Sequence, residues 1–199
     1  DVDTNLAAIR GLLAGAGASD LVILPEYCLC RAAPSDITSV ARPAERWLRI
    51  LGRLSELAEA PVIAGGVPVC ETTVLPRQVF NASLVVSQEG ELLSRYDKMH
   101  LFQFAEEEHA LIDETDVFTP GRVPAMVEIG SWRIGLSICY DLRFPEVFRA
   151  YVPAHLMICT AAFTSETGQA HWRPLLRARA IENQCYLAGV GQCGYHPAE

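Results

Sequence analysis

Apolar residues recur along the chain with two periods, one typical of amphipathic helices and one typical of strands. Residues 4–13 place leucine and isoleucine side chains on one face and predict a helix with Thr4 as its N-cap. Residues 43–59 predict a second amphipathic helix that directs Trp47 and four leucines, the last of them Leu57, towards the core. Further helices are predicted at residues 145–150 and 170–183.

Short apolar or alternating runs between these helices predict strands. Residues 21–24 are wholly apolar and stop at Pro25, as expected for a strand covered on both faces. Glycines at 90 and 130 separate paired runs and predict two β-hairpins. The predicted strands comprise residues 21–24, 62–64, 79–87, 91–96, 125–129, 132–138, 156–159 and 186–190.

Glycine positions and an irregular segment predict where one strand ends and where a long loop lies. We expect the strand at 62–64 to end at Gly65 and Gly66, and residues 101–119 to form a long, acidic and irregular loop. The order of the elements predicts an α/β fold, with a mixed sheet or two sheets sandwiched by helices. We expect one domain over residues 1–199, since no linker or repeat interrupts the chain.

Composition narrows the classes of protein that this chain could represent. Half of its 199 residues are hydrophobic and 20% are charged, which excludes intrinsic disorder. Apolar runs of about 18 residues are absent, so we expect no transmembrane span and no membrane partner. The net charge of −8, with no basic stripe, argues against a nucleic-acid partner. Seven scattered cysteines without a CxxC pair predict free thiols in a reducing, cytoplasmic compartment and no zinc site.

Three residues with reactive side chains follow predicted strands, where ligands bind in open α/β folds. They are Glu26 after Leu24 and Pro25, Lys98 after a hairpin strand, and Cys139 before a helix that begins near Pro145. A thiol near a helix N-terminus with a basic neighbour is expected to favour its thiolate form. Each residue alone also fits a structural role, as a solvated charge or a buried thiol.

Together, these three residues form a complete set for acyl transfer. A cysteine nucleophile requires a base, which Glu26 could supply, and a donor for the developing oxyanion, which Lys98 could supply. A cysteine–histidine pair remains an alternative with weaker support, through His100, His109, His155, His171 or His196. The chain has no G-x-S-x-G serine elbow, and its Gly65-Gly66 pair lacks the spacing of a phosphate loop.

These motifs, in this order, resemble the nitrilase superfamily of carbon–nitrogen hydrolases over nearly the whole chain. The matching segments are Leu-Pro-Glu26, Tyr-Asp-Lys98-Met-His-Leu-Phe, Phe118-Thr-Pro-Gly, Cys139-Tyr-Asp-Leu-Arg-Phe-Pro-Glu, Ala161-Ala-Phe-Thr and the helical stretch from Ala170 to Gln184. The resemblance implies a four-layer α-β-β-α sandwich that requires no metal or organic cofactor. It also implies a triad in which Glu26 is the general base, Lys98 the oxyanion stabiliser and Cys139 the nucleophile.

The resemblance extends to further site residues. It assigns a second glutamate of the site to Glu114, with Glu106, Glu107 and Glu108 as rivals. It places Tyr140 beside the oxyanion, and Ala162, Phe163 and Thr164 along the pocket. Arg143 or Arg173 could bind a substrate carboxylate, although an ion pair of Arg143 with Asp141 or Glu146 is the expectation that we favour.

The motifs look most like those of the ω-amidases and deaminated-glutathione amidases. A thiol amidohydrolase that cleaves a small carboxylate-bearing amide through a thioester, releasing ammonia, is therefore the implied function. A nitrilase, an N-carbamoyl hydrolase or an inactive interaction module remain alternatives. The resemblance further implies a homodimer or higher homo-oligomer, and it leads us to expect that a first strand and a C-terminal part of the family fold are missing.

Overall fold

The computed structural model of the protein describes residues 1–32, 36–72, 77–106 and 109–194. The α-helices are α1 (Val2–Gly15), α2 (Ile37–Val40), α3 (Ala44–Ala58), α4 (Pro145–Arg149), α5 (Ser165–Thr167) and α6 (Arg173–Asn183). The π-helical turn Gly168–Trp172 leads into α6, and 3₁₀ turns cover Glu114–Asp116 and Cys139–Arg143.

The strands form two four-stranded sheets and a separate two-stranded hairpin within the described part of the chain. The first sheet has the order β1 (Val22–Leu24), β2 (Val62–Glu71), β3 (Gln78–Val86) and β4 (Leu92–Asp97). The second has the order β10 (Tyr186–Gly191), β9 (Leu156–Ala161), β8 (Trp132–Ile138) and β7 (Met126–Ile129). The hairpin pairs β5 (Gln103–Glu106) with β6 (His109–Asp113).

The two sheets pack face to face between two layers of helices. Ile63, Val85 and Tyr96 of the first sheet bury their side chains against Leu136 and Ile158 of the second. The opposite face of the first sheet packs on α1 and α3, and that of the second sheet packs on α4 and α6. This arrangement confirms the predicted four-layer α-β-β-α sandwich.

Pairing directions place the ends of several strands at one edge of the sandwich. In the first sheet β1 is parallel to β2, while β3 is antiparallel to both β2 and β4. Strands β1 and β4 therefore run in the same direction, as do β8, β9 and β10 in the second sheet. The residues that follow β1, β4, β8 and β9 are those at which the sequence predicted a site.

Several element boundaries differ from the predictions. Helix α1 begins at Val2, because Asp1 rather than Thr4 caps it by accepting a hydrogen bond from the Asp3 N–H at 2.9 Å. The side chain of Leu57 is 48% exposed, since it lies in the last turn of α3. The segment at 101–119 contains β5, β6 and a 3₁₀ turn instead of an irregular loop.

Strand β2 does not end at the glycine pair as predicted, but continues to Glu71. Gly65 and Gly66 lie where the register with β3 shifts between the Ala64 and Val67 pairings. A glycine inside a strand often marks such an irregularity or a close approach of another group. The long, buried β2 therefore passes through the pair and forms the centre of the first sheet.

Candidate active site

The side chain of Glu26 is buried at the end of β1 and receives three hydrogen bonds. Its Oε1 accepts from Lys98 Nζ at 3.1 Å and from Asn81 Nδ2 at 3.0 Å. Its Oε2 accepts from the backbone N–H of Ala162, which follows β9, at 2.9 Å. Both sheets thus hold this carboxylate in place.

Lys98 follows β4 and lies between two carboxylates. Its ammonium is 3.1 Å from Glu26 Oε1 and 2.8 Å from Glu114 Oε2, and its side chain is only 1% exposed. Burial by itself would lower the pKa of Lys98, but Glu26, Glu114 and Cys139 outweigh that effect and raise it well above the usual value. The lysine is therefore a fixed positive charge in the site.

Glu114 begins a 3₁₀ turn after β6 and is held by donors from three parts of the chain. Besides Lys98, it accepts a hydrogen bond from Tyr27 Oη at 2.9 Å and from the Phe102 N–H at 2.8 Å. Burial would raise the pKa of Glu114, but Lys98 and these donors lower it below its ordinary value. Glu114 is therefore ionised at neutral pH. The side chain of its rival Glu106, and residues Glu107 and Glu108, lie outside the described part of the chain.

Cys139 occupies the sharp turn between β8 and the following 3₁₀ turn. Its φ of 49° lies in the left-handed region, which is uncommon for a residue other than glycine. Such strained positions persist only when surrounding interactions hold them, and they are frequent at functional sites. Here the neighbouring Ile138 N–H donates to the buried carboxylate of Asp141 at 3.0 Å.

The carboxylate of Asp141 also connects this turn to the segment around Lys98. It accepts hydrogen bonds from Tyr96 Oη at 2.7 Å and from the His100 N–H at 2.9 Å. Tyr96 and His100 lie on either side of Lys98 in the sequence, and Asp141 lies two residues after Cys139. One buried side chain therefore fixes the positions of the ammonium and the thiol relative to each other.

Nine of the residues that the sequence suggested for the site line one cavity of about 140 Å³. They are Glu26, Lys98, Glu114, Cys139, Tyr140, Arg143, Ala162, Phe163 and Thr164. No histidine is among the described residues of its lining. His100 and His171 bond elsewhere, to Asp141 and Arg143, and His155 accepts from the Arg133 N–H. The side chain of His109, and His196, lie outside the described residues.

The pKa of the Cys139 thiol is raised, whereas the sequence predicted a thiol that favours its thiolate form. Burial and the neighbouring Glu26 carboxylate raise it well above the ordinary value, and this outweighs the lowering by Lys98 and by the Ala162 backbone. The prediction of a favoured thiolate is therefore wrong for the resting site. A thiol with a raised pKa has to lose its proton during the reaction and not before it.

In the described part of the chain, Arg143 does not form the ion pair with Asp141 or Glu146 that the sequence favoured. Its guanidinium lies over the rings of Tyr140 and Phe163, at 5.7 Å and 5.5 Å from their centroids, and its Nη1 is 3.2 Å from His171 Nδ1. The described residues show no ion pair of Arg143 with Asp141 or Glu146, because Asp141 already binds other donors. Arg143 instead lines the cavity, whereas Arg173 is exposed and does not.

Sequence reasoning missed two polar residues that contact the carboxylates. Tyr27, directly after Glu26, bonds to Glu114, and the buried Asn81 on β3 donates to both Glu26 and Tyr27. The available signal was an asparagine in a mostly apolar strand, which requires buried partners for its amide. Arg31 and Phe102 also line the cavity without having been singled out.

The described residues contain no group of three or more His, Cys, Asp or Glu side chains arranged to hold a metal ion. They also contain no helix that is long and apolar enough to cross a membrane. The seven cysteines, all within the described residues, are free thiols. The ionisable groups that line the cavity include a thiol, an ammonium and two carboxylates, together with the guanidinium groups of Arg31 and Arg143.

The chain is similar in sequence and in fold to proteins that are named as amidases. Deaminated glutathione amidase from Yersinia enterocolitica is 42% identical over 126 residues, which cover 62% of this chain and 44% of that protein. The chain thus spans less than half the length of this curated relative.

Two solved structures share the fold. The structure of XC1258 from Xanthomonas campestris, a CN-hydrolase superfamily protein with an arsenic adduct in its active site, superposes with a TM-score of 0.81 and 32% identity, covering 98% of this chain and 71% of that one. An amidase variant from Nesterenkonia with acrylamide added to its active-site cysteine superposes with a TM-score of 0.78 and 26% identity. The match covers 98% of this chain and 74% of the amidase chain.

The family model described as carbon-nitrogen hydrolase matches residues 1–198 of this chain. That match includes every strand of both sheets and every residue named above as lining the cavity. With the shared fold and the related amidase, it shows that the chain belongs to the carbon-nitrogen hydrolase family of the nitrilase superfamily.

Proposed function

We propose that this protein is a thiol amidohydrolase that cleaves the C–N bond of a small carboxylate-bearing amide through a Cys139 thioester and releases ammonia. The observation that carries the proposal is the buried Lys98 ammonium, bonded to Glu26 and Glu114 in the cavity that Cys139 lines. These residues provide a base, an oxyanion donor and a nucleophile. The related proteins named as amidases support the same reaction class.

In the first half of the reaction, the sulfur of Cys139 attacks the carbonyl carbon of the amide. Glu26 takes the thiol proton during this step, because the raised pKa of Cys139 keeps the free thiol neutral. The carbonyl electron pair moves to oxygen, where Lys98 and the Tyr140 backbone N–H stabilise it. The C=O bond then reforms, the C–N bond breaks, and the nitrogen takes the proton from Glu26 and leaves as ammonia.

In the second half, Glu26 activates a water molecule that attacks the thioester carbon. The water proton passes to Glu26, a second oxyanion forms beside Lys98, and its collapse breaks the C–S bond. The departing sulfur takes the proton back from Glu26 and regenerates the thiol. Glu114 stays ionised throughout and keeps Lys98 charged, as its lowered pKa favours.

Protonation of Glu26 also explains how Lys98 becomes available to the substrate. In the resting site its ammonium donates to oxygens of Glu26 and Glu114. Once Glu26 is neutral it is a weaker acceptor, since hydrogen bonds between charged groups are the stronger ones. One N–H of Lys98 can then turn to the oxyanion at the moment when the negative charge develops.

The cavity favours a small, anionic substrate. A cavity of about 140 Å³ is similar in volume to one that binds a benzene-sized ligand, which favours a small substrate. Arg143 provides a cation in the lining that Tyr140 and Phe163 hold in position by stacking. We infer that Arg143 binds the substrate carboxylate, and that Ala162 and Thr164 form the adjoining wall.

The decisive experiment is a Cys139→Ala variant assayed for ammonia release from a panel of small ω-amides of 2-oxo acids. We expect the variant to lose turnover and to lose the acyl adduct that intact mass spectrometry detects on the wild type. Cys193→Ala is the matched control, because Cys193 is an exposed thiol that does not line the cavity. Full turnover by Cys139→Ala would refute the proposal.

Product analysis separates the remaining reaction classes. Ammonia released from a nitrile, or ammonia with carbon dioxide from an N-carbamoyl compound, in preference to an amide would assign the site to a different substrate. Absence of any adduct, with Cys139 alkylated no faster than the buried Cys159, would indicate an inactive interaction module.

We also infer a single catalytic domain over residues 1–199, a cytoplasmic location and a homo-oligomer. The free thiols are compatible with a reducing compartment. The core clusters run through both sheets and all four layers, which supports one domain. Light scattering of the purified protein and fractionation of cells test the oligomer and the location.

A further inference from the structure

The two carboxylates of the site are connected by a second route besides Lys98. Asn81 Nδ2 donates to Glu26 Oε1 at 3.0 Å and lies 3.1 Å from Tyr27 Oη. Tyr27 Oη in turn donates to Glu114 Oε1 at 2.9 Å. Together with Lys98, these contacts close a ring of hydrogen bonds through both carboxylates.

Donor and acceptor roles in this ring follow from the chemistry of its side chains. Ionised carboxylates only accept, so the Tyr27 hydroxyl proton points to Glu114 and its oxygen accepts from the Asn81 amide. Burial and the charges of Glu114 and Glu26 raise the pKa of Tyr27 well above its ordinary value, so the phenol remains a donor. The phenol can donate in this way only while Glu114 accepts, and the buried Asn81 Oδ1 has no hydrogen-bond partner among the described residues.

From this geometry we infer that Tyr27 is a positioning residue, which holds Glu114 ionised and in place and so leaves Glu26 as the carboxylate that exchanges the proton. This inference rests on the proposed amidohydrolase function. Asn81 completes the arrangement because its amide spans from Glu26 to the Tyr27 oxygen. Without the phenol, Lys98 and the Phe102 N–H would remain as the donors to Glu114.

The backbone around the ring supports this role. Tyr27 has a left-handed φ of 56°, and its N–H donates to the carbonyl of Gly66 at 3.0 Å. A methyl group at Gly66 would overlap the Asn81 side chain, so a side chain at this position would displace the amide. The glycine pair inside β2 thus provides the space and the acceptor that the Tyr27–Asn81 connection requires.

A substitution at Tyr27 can test its hydrogen bond to Glu114 without changing the charged groups nearby. Glu114 bonds to the Lys98 ammonium and the Tyr27 phenol. Glu26 and Cys139 act on the same ammonium, and Arg31 and Arg143 line the same cavity. Substitution of Tyr27 by phenylalanine removes one donor without changing the net charge of this group. A shift in pH dependence would then report the lost hydrogen bond itself.

The test is the pH dependence of kcat for amide hydrolysis by the wild type and by Tyr27→Phe. We expect kcat to fall by about tenfold, the effect of one hydrogen bond to a charged group. We also expect the acidic limb of the profile to move to higher pH, because an ionised Glu114 with fewer donors has a higher pKa. The control is Tyr151→Phe, which removes another buried hydroxyl, bonded to the Leu136 carbonyl outside the cavity.

Each outcome separates this inference from the proposed function. A wild type that hydrolyses amides, combined with an unchanged kcat and an unchanged acidic limb in Tyr27→Phe, would overturn the positioning role alone. A lower kcat without movement of the limb, matched by Tyr151→Phe, would assign a structural role and also overturn it. A wild type that neither hydrolyses amides nor forms an adduct on Cys139 would refute the proposed function.

Discussion

Replacing Lys98 by methionine removes the ammonium from between Glu26 and Glu114 and keeps most of the side-chain volume. Two carboxylates, 1% and 12% exposed, would then face each other without a cation between them. Removing one partner of a buried ion pair costs roughly 3–5 kcal/mol, because the remaining charge has no compensation. We therefore expect Lys98→Met to lower the free energy of unfolding at pH 7 by about that amount.

Protonation of the carboxylates determines how the loss of stability in Lys98→Met depends on pH. In the wild type, Lys98 lowers the pKa of Glu114, so its contribution to stability is present above the unfolded pKa and disappears as the pH falls through the folded value. In the variant, burial without a cation raises the pKa of this carboxyl, so the destabilisation is relieved by protonation at low pH. The difference in unfolding free energy between the two proteins is therefore largest near neutral pH and shrinks towards acid.

Urea unfolding at several pH values from neutral to acidic measures this difference, with Arg95→Met as the matched control. Arg95 also contacts two carboxylates, Glu71 at 2.7 Å and Asp97 at 2.8 Å, but its side chain is 24% exposed. These side chains are partly exposed, and ion pairs in contact with solvent contribute about 0.2–1 kcal/mol. Arg95→Met should therefore cost less stability than Lys98→Met. A loss below about 1 kcal/mol in Lys98→Met, or one that does not vary with pH, would show that Lys98 does not compensate these charges.

Two further substitutions test the thiol and its turn. Glu26→Gln removes a carboxylate that raises the pKa of Cys139. Iodoacetamide should therefore alkylate this thiol faster at pH 8 in the variant, while amide turnover is lost. Slower alkylation would contradict Glu26 as a cause of the raised pKa. Asp141→Asn turns one carboxylate oxygen that accepts from Ile138 or His100 into an amide donor. We expect a loss of about 1.5–3 kcal/mol in unfolding free energy and slower acylation, whereas Asp20→Asn, at an exposed position, should leave both unchanged.

The elements that the sequence predicted well are those whose pattern is local. Helix α3 and the hairpins around Gly90 and Gly130 lie where predicted, since amphipathic periodicity and a glycine with positive φ act over a few residues. The glycines at 65 and 66 were misinterpreted as a strand end. A side chain at Gly66 would overlap Asn81, and one at Gly65 would overlap Ser83 and Thr160. These neighbours lie on other strands, so no local pattern contains that information.

The same distinction applies to the site. Glu26, Lys98 and Cys139 could be proposed because each follows a strand, and Glu114 came from the family resemblance and not from its surroundings in the sequence. Tyr27 and Asn81 were missed because their importance comes from contacts with Glu26 and Glu114. Arg143 was expected to pair with nearby acidic residues, whereas the packing of the loops places it over two aromatic rings.

By itself, the amino-acid sequence determined the long helices, most strands of the two sheets and the kinds of reactive group that follow those strands, but not the hairpin of β5 and β6. These features depend on side-chain periodicity and on residue type, which are properties of neighbouring positions. Only the tertiary structure decided the ionisation of these groups: a neutral Cys139 and a charged Lys98 shared by two carboxylates. The reason is that burial and charge–charge distances arise when the two sheets pack together, and a pKa responds to those distances rather than to position in the chain.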